Sequence, residues 1–373
     1  MASGRERQKK ERKTVQYFEQ LDKQLKDLFY LEPQEVDRED RESFKYAVGA
    51  NLYMNGTMNL YEKLSQGIED VGAVTICFED AIKESDVPFC ETSVLSLFSR
   101  FAKEVAEGVL DPRKIPAIFI RVRHLEQFIS FSSRLKAEQA PFLTGFVFPK
   151  FTLTNAAGYL HQLSVLNQRF NHRFYAMPIL ESRDIVYKET RLETLTKLRT
   201  LLIGNPQILN IRVGGTDFSS AYGLRRRVTS TIYDVRVVSD CLTDILNIFG
   251  RADLDLVVSG PVWEYFSEDV DSIEVQGLLK ELRQDQENGF HGKTSIHPTQ
   301  AKYINRSYVV LYEEYQDATR ILNAAQEGGV FKGEGGNKMN EVGPHLNWAK
   351  RIVARAKVFG VLKPGVSIEA LYE

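Results

Sequence analysis

From about residue 46 onward, short runs of β-branched and aromatic residues alternate with longer stretches of helical periodicity. The apolar runs are Tyr46 to Met54, Ala73 to Phe78, Ala117 to Val122, Gly145 to Phe148, Phe174 to Leu180, Ile208 to Val213, Leu254 to Val258 and Thr294 to Ile296. Between them lie Glu91 to Gly108, Leu153 to Phe170, Lys188 to Ile203 and Val270 to Gln286, each long enough for a helix packed on a strand. Eight strands alternating with helices can close into a (β/α)8 barrel, whereas an open doubly wound sheet usually has about five to seven strands. The pattern therefore predicts an α/β chain with a barrel over residues 45–305. An N-terminal basic, helical arm is expected over residues 1–44, with an amphipathic helix from Val15 to Tyr30. A C-terminal helical extension is expected over residues 306–373, with helices from Ser307 to Gln326 and from Leu346 to Val358. The glycine-rich segment GGVFKGEGGNKMN between them, residues 328–340, reads as a lid or a plain connector.

Polar residues gather just after several of the apolar runs: Glu79-Asp80, Arg121-Val122-Arg123, Pro149-Lys150, Glu181-Ser182-Arg183 and Gly214-Gly215-Thr216-Asp217. In a barrel these positions form one ring at the C-terminal mouth, where catalytic residues of that fold sit. A single charged residue at a strand end often just begins a loop, but five strands doing so together point to chemistry.

The stretch GFHGKTSIHP, residues 289–298, imitates a phosphate-binding loop without meeting its geometry. Glu287 stands where that loop needs its first glycine, a helix precedes the motif, and a short extended run stopped by Pro298 follows it. It reads instead as the last turn and closing strand of the barrel, with Ile296 filling the core and His297 buried and hydrogen-bonded at the strand end.

Composition narrows the function classes. Hydrophobic residues make up 43% of the 373 and charged residues 26%, enough for a substantial core and unlike a disordered chain. A net charge of -2 gives no general attraction to nucleic acid or anionic lipid. No stretch approaches about 18 consecutive apolar residues, so neither a membrane span nor a signal peptide is expected. Cys77, Cys90 and Cys241 are too scattered for a disulfide framework, which suits a cytoplasmic protein.

Glu181 and Asp217 end successive strands, so a barrel sets them side by side. Two oxygen ligands with open positions suit Mg2+, which keeps waters that substrate oxygens can replace. Equally, Asp217 could cap the helix that follows and Glu181 could pair with Arg183. Arg121 and Arg123 share one face of their strand, and a guanidinium at a barrel mouth needs a carboxylate from the protein or the substrate. Glu79 and Asp80 are the available protein partners. Six scattered histidines give no zinc spacing, and no Ser-His-Asp or Cys-His arrangement stands out.

Taken in order, ICFEDA, FIRVR, FVFPK, MPILES, VGGTDFSSAYGLRRR and GFHGKTSIHPTQ resemble the citrate lyase beta-subunit-like, or HpcH/HpaI aldolase, superfamily. The resemblance covers about residues 45–305 and extends to the helical tail. It implies a (β/α)8 barrel, Mg2+ held by Glu181 and Asp217, and cleavage or formation of a carbon-carbon bond next to a carbonyl. Arg121, Glu79 and Asp80 would be the catalytic set, with Arg123, Lys150, Gly214, Gly215 and Thr216 lining the substrate. The substrate implied is a small acid or an acyl-CoA-like thioester, and relatives are often trimeric, which implies a homo-oligomer. Arg123 replaces the asparagine usual in the family, strand one ends in Tyr53-Met54-Asn55-Gly56 without the proline-glycine turn, and Trp263 and Tyr265 are bulky. These departures resemble a divergent C-C bond lyase-like branch found alongside tellurite-resistance and stress-response proteins. Two other readings remain: a barrel handling a phosphorylated or nucleoside-like metabolite through Arg123, Arg225, Arg226 and Arg227, and a non-enzymatic scaffold.

Overall fold

The computed structural model describes residues 14–372 except 20, 22, 327 and 337. The expected basic character of the first residues thus lies outside the described residues up to position 13.

All eight expected strands form: β1 (Ala50–Asn55), β2 (Ala73–Cys77), β3 (Ala117–Arg121), β4 (Gly145–Phe148), β5 (Tyr175–Leu180), β6 (Ile211–Val213), β7 (Val258–Ser259) and β8 (Lys293–Ser295). They are parallel neighbours in the order β7-β6-β5-β4-β3-β2-β1-β8, and a parallel bridge between Gly260 and Lys293 joins the two ends. The sheet is therefore a closed barrel. Strands β2, β4 and β5 are buried along their whole length because helices cover one face and the barrel interior the other. Outside β4, the rings of Phe148 and Tyr159 stack at 4.3 Å, and Phe128 meets Phe146 at 4.6 Å. Inside, the barrel is polar for its class: Thr75 bonds Asn51 (2.9 Å), Asn210 bonds Ser259 (2.8 Å) and Arg212 bonds Thr294 (2.6 Å).

The glycine-lysine stretch closes the barrel as expected. The helix Ile273–Asn288 stops where Gly289 adopts φ 99°, a left-handed cap. Gly292 has φ 76°, and a Cβ there would sit 2.7 Å from the Gly49 carbonyl oxygen, so β8 can lie against β1 only through a glycine. Two expectations for this stretch are corrected. Ile296 is 42% exposed instead of filling the core, because β8 ends at Ser295 and the side chain turns outward past the barrel rim. His297 is half-buried and caps the helix Pro298–Arg306 through Nδ1, its ring stacked on Phe266 at 4.3 Å. The buried histidine of the stretch is His291.

The N-terminal segment is not the expected helical arm. Thr14–Val15 pairs antiparallel with Val36–Asp37, Phe29–Leu31 pairs with Val361–Leu362, and Lys23–Lys26 is a single helical turn. The reason is tertiary. Tyr17, Phe18, Leu21 and Phe29 are all buried, with Tyr17 stacked on Phe359 at 4.8 Å and its hydroxyl donating to the Ala47 carbonyl (2.8 Å). Docking these rings against the C-terminal helix outweighs a weak local helix preference. The extension itself is helical at Tyr312–Asn323 and Val342–Phe359, but the glycine-rich segment between them is a β-hairpin, Val330–Lys332 against Met339–Glu341. Among the described residues, no helix is long and apolar enough to cross a membrane.

His291 carries a testable consequence of this packing. It lies among the rings of Tyr46, Tyr308 and Phe359, and its Nε2 donates to the Tyr46 carbonyl (3.0 Å). Burial, then the charges of Arg355 and Arg351, push it down from 6.5 to about 3. With the folded value below the unfolded one, the neutral ring contributes fully above pH 6.5 and its contribution is lost as the pH falls toward 3. The slope is about 1.4 kcal/mol per pH unit, so roughly 2 kcal/mol disappears between pH 7 and 5. Urea midpoints of wild type and His291→Gln, compared at those two pH values, are expected to differ by that pH-dependent part. Identical pH dependence in the two proteins would contradict the assignment.

Candidate active site

The C-terminal mouth is built from loops that follow β2, β3, β4, β5 and β6. Glu181 comes directly after β5, is 7% exposed, and its Oε1 accepts the Lys150 backbone N–H at 2.7 Å. Burial, followed by the charge of Asp217, pushes its carboxyl up to about 8. Asp217 is the third residue of the short helix Gly215–Ala221 that follows β6, and it is half-buried. Its carboxylate makes no hydrogen bond or ion pair among the described residues, so it does not cap that helix. Glu181 likewise makes no pair with Arg183. The charge of Asp217 acts on Glu181, and among the described residues no protein cation is bonded to either carboxylate.

The glycines before Asp217 are a steric requirement. A Cβ at Gly214 would lie 2.4 Å from both Cβ and Oε2 of Glu181, and one at Gly215 would lie 2.7 Å from Cβ of Pro261. No side chain fits at either position, which lets the β6 loop close onto Glu181.

Arg121 ends β3 and is held from several sides. Its Nη2 lies 3.0 Å from Glu79 Oε2 and 3.9 Å from Asp80 Oδ2, the partners expected of it. Nε and Nη2 also donate to Cys77 Sγ at 3.3 and 3.1 Å, and the guanidinium stands 5.3 Å from the Tyr53 ring centre. Lys150 adopts a left-handed φ of 47°, uncommon for a residue with a side chain. That turn aims its N–H at Glu181 while its Nζ pairs with Glu79 and lies 3.5 Å from Asp80 Oδ1. Glu79 is raised by burial despite the nearby Arg121; in Asp80 the bond to Glu79 and the charges of Lys150 and Arg121 outweigh burial and hold the carboxyl low. The chain therefore runs Glu181, Lys150, Glu79, Arg121 as one connected set.

The remaining expected substrate residues divide. Gly214 belongs to the mouth. Arg123 is turned into the β2 loop, where its guanidinium donates to the carbonyls of Phe78 (3.4 Å), Glu79 (3.3 Å) and Ile82 (3.3 Å) and so bolts down the Glu79-Asp80 turn. Thr216 is exposed, donates to Glu264 (3.1 Å), and lines with Gly215 a separate cavity of about 390 Å3. Arg226 is buried against Glu281, with Glu264 at 3.4 Å, and Arg123 is equally committed to protein acceptors, which leaves the phosphorylated-metabolite reading without two of its four arginines.

Sequence reasoning passed over Tyr53, Cys77 and Arg212. Strict alternation applied to β1, β2 and β6 marks them as residues of the barrel interior, on the same face as Asn51 and Thr75 in β1 and β2. Arg212 is 1% exposed, and its Nε and Nη1 have no partner.

Among the described residues no cluster of three or more His, Cys, Asp or Glu side chains is arranged to hold a metal ion. Mg2+ needs no such cluster, since it is bound through one or two carboxylates and waters. The pair Glu181 and Asp217, mutually repelling and without a bonded cation among the described residues, fits such an ion.

A closed parallel barrel with this acid pair and arginine at its C-terminal rim is of the TIM-barrel class. The family described as C-C bond lyase of the TIM-barrel fold matches residues 42–361, and the chain belongs to that family. Solved structures share the fold at low identity. CitE from Mycobacterium tuberculosis, in complex with magnesium, acetoacetate and coenzyme A, is 18% identical over 84% of this chain and 99% of its own, with a TM-score of 0.55. A citrate lyase from Burkholderia xenovorans LB400 is 16% identical over 93% of this chain and 99% of its own, with a TM-score of 0.62. The Haloferax volcanii malate synthase magnesium/glyoxylate complex is 13% identical over 83% and 88%, with a TM-score of 0.51. No curated protein matches the chain.

Proposed function

We propose that this chain is a Mg2+-dependent carbon-carbon bond lyase acting on an oxo or hydroxy acid or its CoA thioester. The observation that carries the reading is the pair Glu181 and Asp217, two carboxylates after successive strands with no bonded cation among the described residues, set in the same mouth as Arg121. Glu181 and Asp217 would hold the ion. Bound there, Mg2+ supplies Lewis acidity toward a substrate oxygen.

The protein's own groups supply the rest. Arg121, fixed through Nη2 to Glu79, offers its guanidinium to a substrate carboxylate or enolate oxygen as charge develops there. Lys150 and Arg121 favour the charged form of Glu79 against the burial that raises it, and the Lys150 N–H orients Glu181, so Glu181 and the arginine belong to one connected set. Residues of the β2 turn cannot drift, because Arg123 holds three of its carbonyls. The family and the acid or CoA complexes of its structural relatives support this choice of substrate class.

The test is a panel of hydroxy acids and their CoA thioesters incubated with the full chain and Mg2+, with products read by mass spectrometry. Cleavage to a carbonyl product and a shortened acid or thioester is expected only with Mg2+. Arg121→Gln should lower turnover by about 100-fold or more, the scale for removing a donor to a developing anion, while Mg2+ still binds. Cleavage that survives in Arg121→Gln at the wild-type rate would remove the arginine from the reading.

A further inference from the structure

A cavity of about 970 Å3 starts at the end of the barrel opposite Glu181 and Asp217 and runs along the helix Ile273–Asn288 as far as Asp271. Its walls come from the N-terminal ends of β7 and β8, from the helix Ile273–Asn288 and from the C-terminal helix Val342–Phe359. Trp348, Arg351 and Arg355 lie at i, i+3 and i+7 on that last helix, so they form one stripe facing the cavity.

Both arginines are half-buried, and both are bonded only to neutral groups. Arg351 Nη2 donates to the Gly250 carbonyl at 2.8 Å, and Arg355 Nη2 to the Tyr308 carbonyl at 3.1 Å. Among the described residues neither makes an ion pair, although Glu314 also lines the cavity and its charge acts on Arg355. Two like charges one turn apart repel, and partial burial adds a desolvation cost. Placement near the helix C-terminus offsets only part of this. The field of both arginines reaches His291 in the cavity wall and opposes its protonation. The two carbonyl bonds tie the helix to the barrel, while its apolar packing on the extension runs through Ala349, Ile352 and Ala356, so neither guanidinium has its charge answered by the fold.

Two guanidinium forks on side chains with Cβ atoms about 5–6 Å apart match the oxygens of a phosphate or of two linked phosphates. Trp348 and Tyr46 add ring surfaces beside them. The volume is that of a small-molecule site. We propose that this cavity binds a phosphate-bearing ligand with a flat ring, the chemistry of a nucleotide, with Arg351 and Arg355 on the phosphates and Trp348 or Tyr46 against the ring. Lying at the barrel end that carries no catalytic loops, it is an effector site and not a second substrate site. Asp271, Glu287, Glu314 and Glu369 also line it, with Lys280 and Arg283 as further cations, and Glu314, whose charge acts on Arg355, offers an acceptor for a sugar hydroxyl or base amino group.

Calorimetry of the full chain in Mg2+-free buffer containing a chelator, titrated with ADP and separately with pyrophosphate, tests this. ADP is expected to bind, and Arg351→Ala/Arg355→Ala to weaken it at least tenfold. Arg351→Lys/Arg355→Lys keeps the charge and a donor for each carbonyl while removing the fork, and should also weaken binding; it serves if the alanine variant misfolds. Trp348→Ala should weaken ADP several-fold and leave pyrophosphate unchanged. Mg2+ binding at the mouth, titrated separately, should be the same in all variants. No heat from ADP with the wild type, or equal ADP affinity in the double alanine variant, overturns the proposal. Pyrophosphate binding as tightly as ADP, with no effect of Trp348→Ala, overturns the nucleotide assignment in favour of a bare phosphate site.

Discussion

Asp217→Asn is expected to abolish measurable Mg2+ binding and, with it, turnover, while leaving the fold intact. The carboxylate is half-buried, acts on Glu181 through its charge and makes no bond of its own among the described residues, so its removal breaks no hydrogen bond or ion pair of the fold. It should even relieve repulsion, because the charge of Asp217 is the second cause, after burial, of the raised Glu181 carboxyl. A ligand made of two carboxylates loses half its charge by this change. Groups one shell farther out already contribute about 10- to 100-fold to metal affinity, so a direct ligand should contribute more than about 100-fold. Glu181→Gln is the companion variant: its amide oxygen can still accept the Lys150 N–H, so the β4 turn keeps its anchor while the charge is lost. In both variants the calorimetric heat of Mg2+ should vanish while the thermal midpoint stays level or rises. An unchanged Mg2+ titration in Asp217→Asn would remove the metal from the proposed function, whatever happens to activity.

The carboxylate pair was legible in the sequence for a simple reason. Each acid follows an apolar run of the kind buried on both faces, and parallel βα alternation puts every such position on the same rim. The same logic located Glu79, Arg121 and Lys150. What the pattern did not carry is the direction of long side chains beyond a strand end. Arg121 and Arg123 are two residues apart, yet one reaches Cys77 and Glu79 across the mouth and the other curls into the β2 loop. Alternation fixes a side chain's face only while the backbone is extended, and β3 ends at Arg121. The N-terminal segment failed for a different reason. Its apolar spacing suits one face of a helix, but Tyr17, Phe18 and Phe29 dock on the C-terminal helix some 330 residues later in the chain, a contact no local window contains. The hairpin at Val330–Lys332 and Met339–Glu341 was hidden because glycines make a strand look like a linker.

Lys293→Met should cost about 3–5 kcal/mol, the range for removing one partner from a buried ion pair. Lys293 is the lysine of the false phosphate loop, and its Nζ is fully buried, 2.9 Å from Glu281 Oε1 and 2.7 Å from Asp285 Oδ2. Arg226 pairs with Glu281, whose Oε2 also accepts the Ile232 N–H at 2.7 Å, and Tyr233 donates to Asp285 at 2.7 Å. Two cations thus balance two carboxylates in a space without water contact. Without the ammonium, Asp285, already raised by burial and held down chiefly by Lys293, would take up a proton, and Glu281 would rely on Arg226 alone. Lys293→Met/Asp285→Asn restores the charge balance and should recover part of the loss, so a double-mutant cycle on urea midpoints separates charge imbalance from lost volume. Additive losses would mean that the pair is not coupled. The cluster also bears on the active site: Arg226 and Ile232 belong to the segment that follows the Asp217 helix, while Lys293 starts β8. It fastens the loop carrying the candidate metal ligand to the strand that closes the barrel. Lys293→Met should therefore weaken Mg2+ binding as well, by less than Asp217→Asn does, since it loosens the placement of a ligand without removing one.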